Sequence, residues 1–257
     1  MPLRDGYAEG IPCWVDLGTP DLEEAKVFYG RVFDWEYRDE PEAERPRVTA
    51  LQRGLPAAGI GSLQDEGQTP AWMTYFAVDD ADTAAARISD AGGSILLAPS
   101  DVPGAGRIAM AADPTGASFG VWQAREHFGA VVVNEHGGLN WNELITDDVD
   151  GAATFYGQAL GHGVEVSETA EGGRYTSFTV GGRAIAGARI KPRPDLSNRW
   201  DLYFAVSDTA AAIDQVRSSG GGVLYGPSEV EGVGFFAGFT DPHGAPFMVV
   251  QLEEEID

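Results

Sequence analysis

The sequence predicts an α+β protein made of two tandem copies of one domain, each copy holding two strand–helix–strand–strand–strand modules. Three observations carry that expectation: a long internal match, a second match upstream at nearly the same offset, and a tryptophan opening the first strand of every module. Trp72 to Gln123 aligns without a gap on Trp200 to Gln251, with 23 identities in 52 positions. The segment from Cys13, CWVDLGTPDLEEAKVFYGRVF, aligns on the segment from Asn140, NWNELITDDVDGAATFYGQAL, placing Trp14 over Trp141 and Phe28-Tyr29 over Phe155-Tyr156. The offsets, 128 and 127 residues, are the size of a domain and far longer than the period of a solenoid, ~20–50 residues. Trp14 and Trp72 are 58 residues apart, and Trp141 and Trp200 are 59 apart, so each domain divides again. The expected domains are 1–124 and 139–257, joined by a linker at 125–138.

Each module then reads the same way. Tyr75-Phe76-Ala77-Val78 has the aromatic and branched content of a strand. Asp79 and Asp80 stand where helix N-caps belong. Ala81 to Ala91 is alanine-rich and predicts a helix, and Gly92-Gly93 stops it. Ile95-Leu96-Leu97 resumes as a strand. Asp113-Pro114-Thr115-Gly116 and Asp241-Pro242-His243-Gly244 place Pro and Gly where β-turns use them. Each turn precedes a short terminal strand, Ser118 to Trp122 and Pro246 to Val250. The terminal Glu253-Glu254-Glu255 run reads as a solvated end.

Composition narrows the function. A net charge of −23 offers no basic surplus for phosphate contacts, which argues against nucleic acid and against anionic membrane surfaces. With one cysteine, Cys13, no intrachain disulfide can form. The opening MPLRDGYAEG lacks a basic segment followed by an apolar run, so no signal peptide is expected. No apolar stretch approaches the ~18 residues of a membrane span. The expected location is the cytoplasm.

The module order, the Phe-Tyr pair closing the first helix and the Asp-Pro-x-Gly turn before the last strand resemble the glyoxalase/bleomycin-resistance/extradiol-dioxygenase group, the vicinal oxygen chelate superfamily. The resemblance covers nearly the whole chain. The combination is also similar to actinobacterial tandem proteins often labelled hydroxylases in natural-product pathways. It implies that the two modules of each domain form one incomplete barrel, around a cleft that usually holds a divalent metal and a small substrate.

The same resemblance places the metal ligands on the first and last strands of the modules. Those positions hold Trp14, Met73 and Gly120 in the first domain and Trp141, Asp201 and Met248 in the second, with remaining positions near Ile60 and Ala186. Tryptophan does not ligate metals, and a thioether suits soft copper rather than zinc, iron, nickel or manganese. Residues 1–124 contain no histidine; His127 and His136 fall in the linker, and His162 and His243 lie elsewhere in the second domain. The expectation is therefore no metal and no other cofactor.

Strand alternation sorts what lines each cleft instead. Trp14 and Asp16 point inward while Cys13, Val15 and Leu17 face the helix; Trp141 and Glu143 match them. Met73, Tyr75 and Trp122 complete the first cleft, and Asp201, Tyr203 and Met248 the second. Trp72 and Trp200, of opposite parity, pack under the helices. Trp, Tyr and Met form walls suited to a flat organic ligand. Asp16, Glu143 and Asp201 are the candidate acids or bases, the alternative being hydrogen bonding to neighbouring strands. The leading expectation is a metal-independent protein that binds a small aromatic natural product, as an accessory or as a hydroxylase or isomerase. The alternative is a glyoxalase-like lyase or a metal-dependent dioxygenase acting on a small carbonyl or catechol. One domain serving only as scaffold is a third reading. The assembly is expected to be a monomer or a homodimer.

Overall fold

A computed structural model describes residues 3–63, 67–168 and 173–253; Glu254 and Glu255 lie outside the described residues. The first module holds β1 (Pro12–Thr19), α1 (Leu22–Phe33), β2 (Glu36–Asp39), β3 (Arg47–Gln52) and β4 (Leu55–Ser62). The second holds β5 (Ala71–Ala77), α2 (Ala81–Asp90), β6 (Ser94–Val102), β7 (Gly106–Ala112) and β8 (Ser118–Ala124). The third holds β9 (Leu139–Thr146), α3 (Val149–Leu160), β10 (Gly163–Glu168), β11 (Arg174–Val180) and β12 (Arg183–Ile190). The fourth holds β13 (Arg199–Ala205), α4 (Thr209–Ser218), β14 (Gly222–Val230), β15 (Gly234–Thr240) and β16 (Pro246–Leu252).

The strand–helix–strand–strand–strand order thus recurs four times. Each helix starts at an aspartate whose side chain accepts from the backbone N–H three residues on, at Asp21, Asp80, Asp148 and Asp208. These bonds satisfy a donor that a helix N-terminus leaves open.

The two modules of a domain make one open eight-stranded sheet, in the order β2-β3-β4-β1-β5-β8-β7-β6, and the second domain repeats it. β1 and β5 pair antiparallel at the centre, while β1–β4 and β5–β8 run parallel. The central register sets Trp14 opposite Tyr75 and Asp16 opposite Met73.

The helical faces bury the main cores, and both cores are shared between domains. One joins Val15, Phe28, Phe33 and Ile60 to Phe204, Ile213 and Phe247. The other joins Phe76, Ile88 and Phe119 to Phe155, Tyr156 and Phe178. The repeated sequence marks sit at this junction. Trp72 Nε1 donates to Tyr29 Oη at 3.0 Å, and Tyr29 donates to Asp241 Oδ2 at 3.2 Å, across the domain boundary. The reciprocal set is Trp200 to Tyr156 at 2.9 Å and Tyr156 to Asp113 at 3.2 Å. The other oxygen of each aspartate organises its own turn, accepting from the backbone of Thr115 and Ala117 or of His243 and Ala245.

Phe28 and Phe155 lie over the opposite domain's Gly221 and Gly93, where an added Cβ would meet the rings at 2.8 and 2.9 Å. The Asp-Pro-x-Gly segments are turns, as expected, and also docking points for the neighbouring domain.

Removing one relay hydroxyl leaves a buried indole N–H and a buried carboxylate oxygen unpaired. Tyr29→Phe is expected to lose ~2–4 kcal/mol of stability in urea denaturation; a loss within experimental error of zero would show that the relay supports nothing.

His162 makes a second link. Its Nε2 bonds the Gly10 carbonyl at 2.7 Å, and its ring is buried against Tyr156 and Phe178. Burial pulls its pKa down from 6.5 to about 4. A histidine kept neutral by folding stabilises fully above its unfolded pKa and loses that stability as pH falls through the folded one. Stability should therefore decline between pH 6.5 and 4 by up to ~3 kcal/mol. His162→Gln should flatten that slope, and an unchanged slope in the variant would assign the decline to other groups.

Candidate functional site

The faces turned away from the helices hold the predicted site residues. In the first sheet Trp14, Tyr75 and Trp122 form one cluster, with Met73 packed against it. In the second, Tyr203 and Met248 cluster, with Trp141 against them. Trp72 and Trp200 pack on the helical side, as their parity predicted. Cys13 departs from the alternation. The pairing of β1 with β5 slips between Pro12 and Trp14, and Cys13 joins the Trp14 cluster instead of the helical core. Ile60 and Ala186 also sit on the helical side. Their neighbours Gly59 and Gly187 are the residues paired with Asp16 and Glu143, so the inward positions there are glycines.

All three candidate carboxylates are ion-paired. Arg47 Nη1 lies 2.6 Å from Asp16 and its Nε lies 3.0 Å from Glu40. Arg189 Nε lies 2.5 Å from Glu143, whose side chain is 8% exposed. Arg199 Nε lies 2.7 Å from Asp201, 4% exposed. Burial raises the pKa of Asp16 and Asp201, and the adjacent arginine in each case opposes the rise. Tyr203 donates to Glu143 at 3.0 Å, and burial beside that carboxylate holds its phenol far above the usual range. Trp141 Nε1 donates to Tyr175 Oη at 3.0 Å, and Tyr225 donates to the Met248 thioether at 3.4 Å.

The arginines were not anticipated, because the domains supply them from different strands. Arg47 comes from β3 opposite Gly61, whereas Arg189, two residues past Gly187, comes from β12. Tyr175, Tyr225 and Phe236 were missed as well, since they lie outside the segments that open or close a module. Strand parity applied to β11, β14 and β15 would have found them.

The two faces differ in what covers them. The cluster in the first sheet includes Ala130, with Val133 and Tyr7 packed against it. His127 sets its ring edge-on to Trp14 at 4.5 Å and to Trp122 at 5.7 Å. Among the described residues, those packed in the second cluster all come from its own strands. There Trp141, Tyr175 and Phe236 are half-buried, and Tyr225 is 38% exposed. Arg47 and Glu40 also line a surface hollow with Pro41 and Arg45; none of the predicted site residues lines it.

The model of the Glyoxalase/Bleomycin resistance protein/Dioxygenase superfamily matches residues 13–121 and again 138–249. The chain belongs to this superfamily. Among relatives of this glyoxalase-superfamily chain is "Putative glyoxylase CFP32" of Mycobacterium tuberculosis (strain CDC 1551 / Oshkosh), 39% identical over 98% of each chain. Another is the anthracycline biosynthesis protein DnrV of Streptomyces peucetius, 34% identical over 96% of this chain and 95% of that one. The 2,3-dioxygenase LapB from Pseudomonas sp. KL28 shares the fold, with a TM-score of 0.69 and 14% identity over 98% of this chain and 96% of its own. So does the Mn(II)-bound glyoxalase from Novosphingobium aromaticivorans, with a TM-score of 0.64 and 14% identity over 97% of this chain and 87% of its own.

A divalent metal is the group this superfamily implies, and the residues do not fit one. The positions expected to ligate hold Trp14, Met73, Gly120, Trp141, Met248 and Asp201, of which only Asp201 is a hard oxygen donor, and Arg199 engages it. Among the described residues, no three His, Cys, Asp or Glu side chains converge on a point. A catalytic metal needs about three such ligands. Also among the described residues, no helix is long and apolar enough to cross a membrane.

Glu143 depends on its cation. Arg189→Met should destabilise the protein by ~3–5 kcal/mol at neutral pH, because a lone buried charge remains. Adding Glu143→Gln should recover most of the loss. A single variant as stable as the parent, by denaturant titration, would mean the carboxylate is solvated after all.

Proposed function

We propose that the protein is a metal-independent binder of a small, flat aromatic natural product, held on the helix-free face of the second domain. The observation that carries this reading is the half-open aromatic wall of Trp141, Tyr175, Tyr203, Tyr225 and Phe236 beside Met248. Aromatic faces stack on planar ligands and add to the apolar area they bury. Glu143 and Arg189 then supply a polar end that orients ligand hydroxyl or carbonyl groups, and Asp201 with Arg199 does the same along the strand. In this reading the carboxylates serve as acceptors more than as bases. Protonating one would strip its arginine of a partner in a partly dry site.

The name of the Streptomyces peucetius relative supports the compound class, since an anthracycline carries a fused, flat chromophore. The first-domain residues Trp14, Asp16, Met73, Tyr75 and Trp122 have the same chemistry, under a cover. We place the protein in the cytoplasm, binding no nucleic acid and no membrane. The lyase and dioxygenase alternatives need a metal, and the donor set argues against them.

Titration with 1,2-dihydroxyanthraquinone tests the reading. Tryptophan fluorescence should be quenched with saturation, EDTA should leave the curve unchanged, and elemental analysis should find well under one metal per chain. Trp141→Ala should weaken binding at least tenfold. Absence of any response to this probe and to an anthracycline panel would sink the proposal, as would a stoichiometric tightly held metal.

A further inference from the structure

We infer that the helix-free face of the first domain is a second site for a flat, hydroxylated aromatic ligand, and that the chain's own 127–133 segment occupies it. The inference extends the reading above to the other domain, but its geometry is independent. The two sheets put matching residues in matching registers: Trp14 opposite Tyr75 and Trp141 opposite Tyr203, Asp16 opposite Met73 and Glu143 opposite Asp201. What differs is the cover.

The His127 ring stands edge-on to both Trp14 and Trp122, the position a planar ligand edge would take between two indoles. Trp122 Nε1 donates to the His127 carbonyl at 2.7 Å, so the indole's polar atom is spent on the segment. Ala130 N–H donates to the Cys13 carbonyl at 2.8 Å, and Tyr7 donates to the Ala130 carbonyl at 2.7 Å. Val131 N–H reaches the Pro56 carbonyl at 2.8 Å. Trp14 is left 6% exposed.

Gly129 is what lets the segment lie this close. Its φ is +125°, and a Cβ there would meet the Cys13 carbonyl oxygen at 2.3 Å. A side chain at 129 is therefore incompatible with the covered state on both counts. The covered face is not fully satisfied. It leaves Asp16 Oδ1 buried without a hydrogen-bond partner while Oδ2 takes Arg47. A ligand hydroxyl reaching Asp16 would supply that donor.

The native chain should accordingly bind one equivalent of 1,2-dihydroxyanthraquinone. Gly129→Val, and separately a chain with 127–133 replaced by a Gly-Ser stretch of equal length, should bind two. Cys13, the only cysteine, reports the cover without any ligand: it is fully buried in the native protein. Its reaction with 5,5′-dithiobis(2-nitrobenzoic acid) should speed up at least tenfold in both variants, with far-UV circular dichroism unchanged. Adding Trp141→Ala separates the two sites. The double variant Gly129→Val/Trp141→Ala should keep one equivalent.

If neither variant unmasks Cys13, the segment is not the cover and the inference fails. If Cys13 is unmasked and the double variant binds nothing, the face is not a ligand site and the inference fails again, while one equivalent on the native chain would leave the second-domain proposal standing. One equivalent on the double variant with none on the native chain would uphold the covered site and overturn the second-domain proposal instead.

Discussion

Two buried phenols hold the molecule together. Tyr29 and Tyr156 each accept from an indole of their own domain and donate to an aspartate of the other. Every polar atom in such a relay has left water, so each must find its partner or leave a buried group unsatisfied. The partners arrive from three separate sequence marks: the Phe-Tyr pair, the module-opening tryptophan and the Asp-Pro-x-Gly turn. The relay is satisfied only when both domains dock, and the same is true of Phe28 over Gly221 and Phe155 over Gly93. The duplicated features are thus the terms of one interface, written twice.

That commitment decides where a ligand can go. The helical side of each sheet is filled by cores drawn from both domains, so the opposite faces are what remain. They began as copies and have diverged in two ways. The arginine that neutralises the inward carboxylate comes from β3 in the first sheet and from β12 in the second, with Tyr175 facing the second sheet's Glu143 and Trp141. The chain between the domains also lies down on one face only. A linker with few contacts would behave as a tether. This one donates backbone hydrogen bonds to β1 and to Pro56, which makes it part of the first domain's surface.

The architecture was legible because the repeat is long and its period fixed the modules, and because strand parity separates Trp14 from Trp72 without any tertiary information. Three things were not legible. Cys13 follows the alternation in sequence but sits at a register slip, which depends on pairing with a strand some sixty residues on. The cations beside Asp16 and Glu143 come from non-equivalent strands, so overlaying the repeats could not reveal them. The 125–138 segment has no period to read, and its fit turns on Gly129's positive φ and on the carbonyl it passes.

The ion pairs sharpen the chemistry of the second face. Glu143 and Asp201 bring two negative charges, and Arg189 and Arg199 return two positive ones, so the face is close to neutral although the chain carries −23. A cationic ligand would gain little there from a carboxylate already matched by a guanidinium, and an anionic one would meet the converse. What the face presents unmatched is aromatic area, with acceptors on Glu143 and donors on Arg189 aligned at its end. A neutral, planar compound with hydroxyl and carbonyl groups on its rim satisfies all of these at once. In the proposed reading such a compound asks nothing of a metal, in keeping with the tryptophan, methionine and glycine that stand where the superfamily resemblance places ligands.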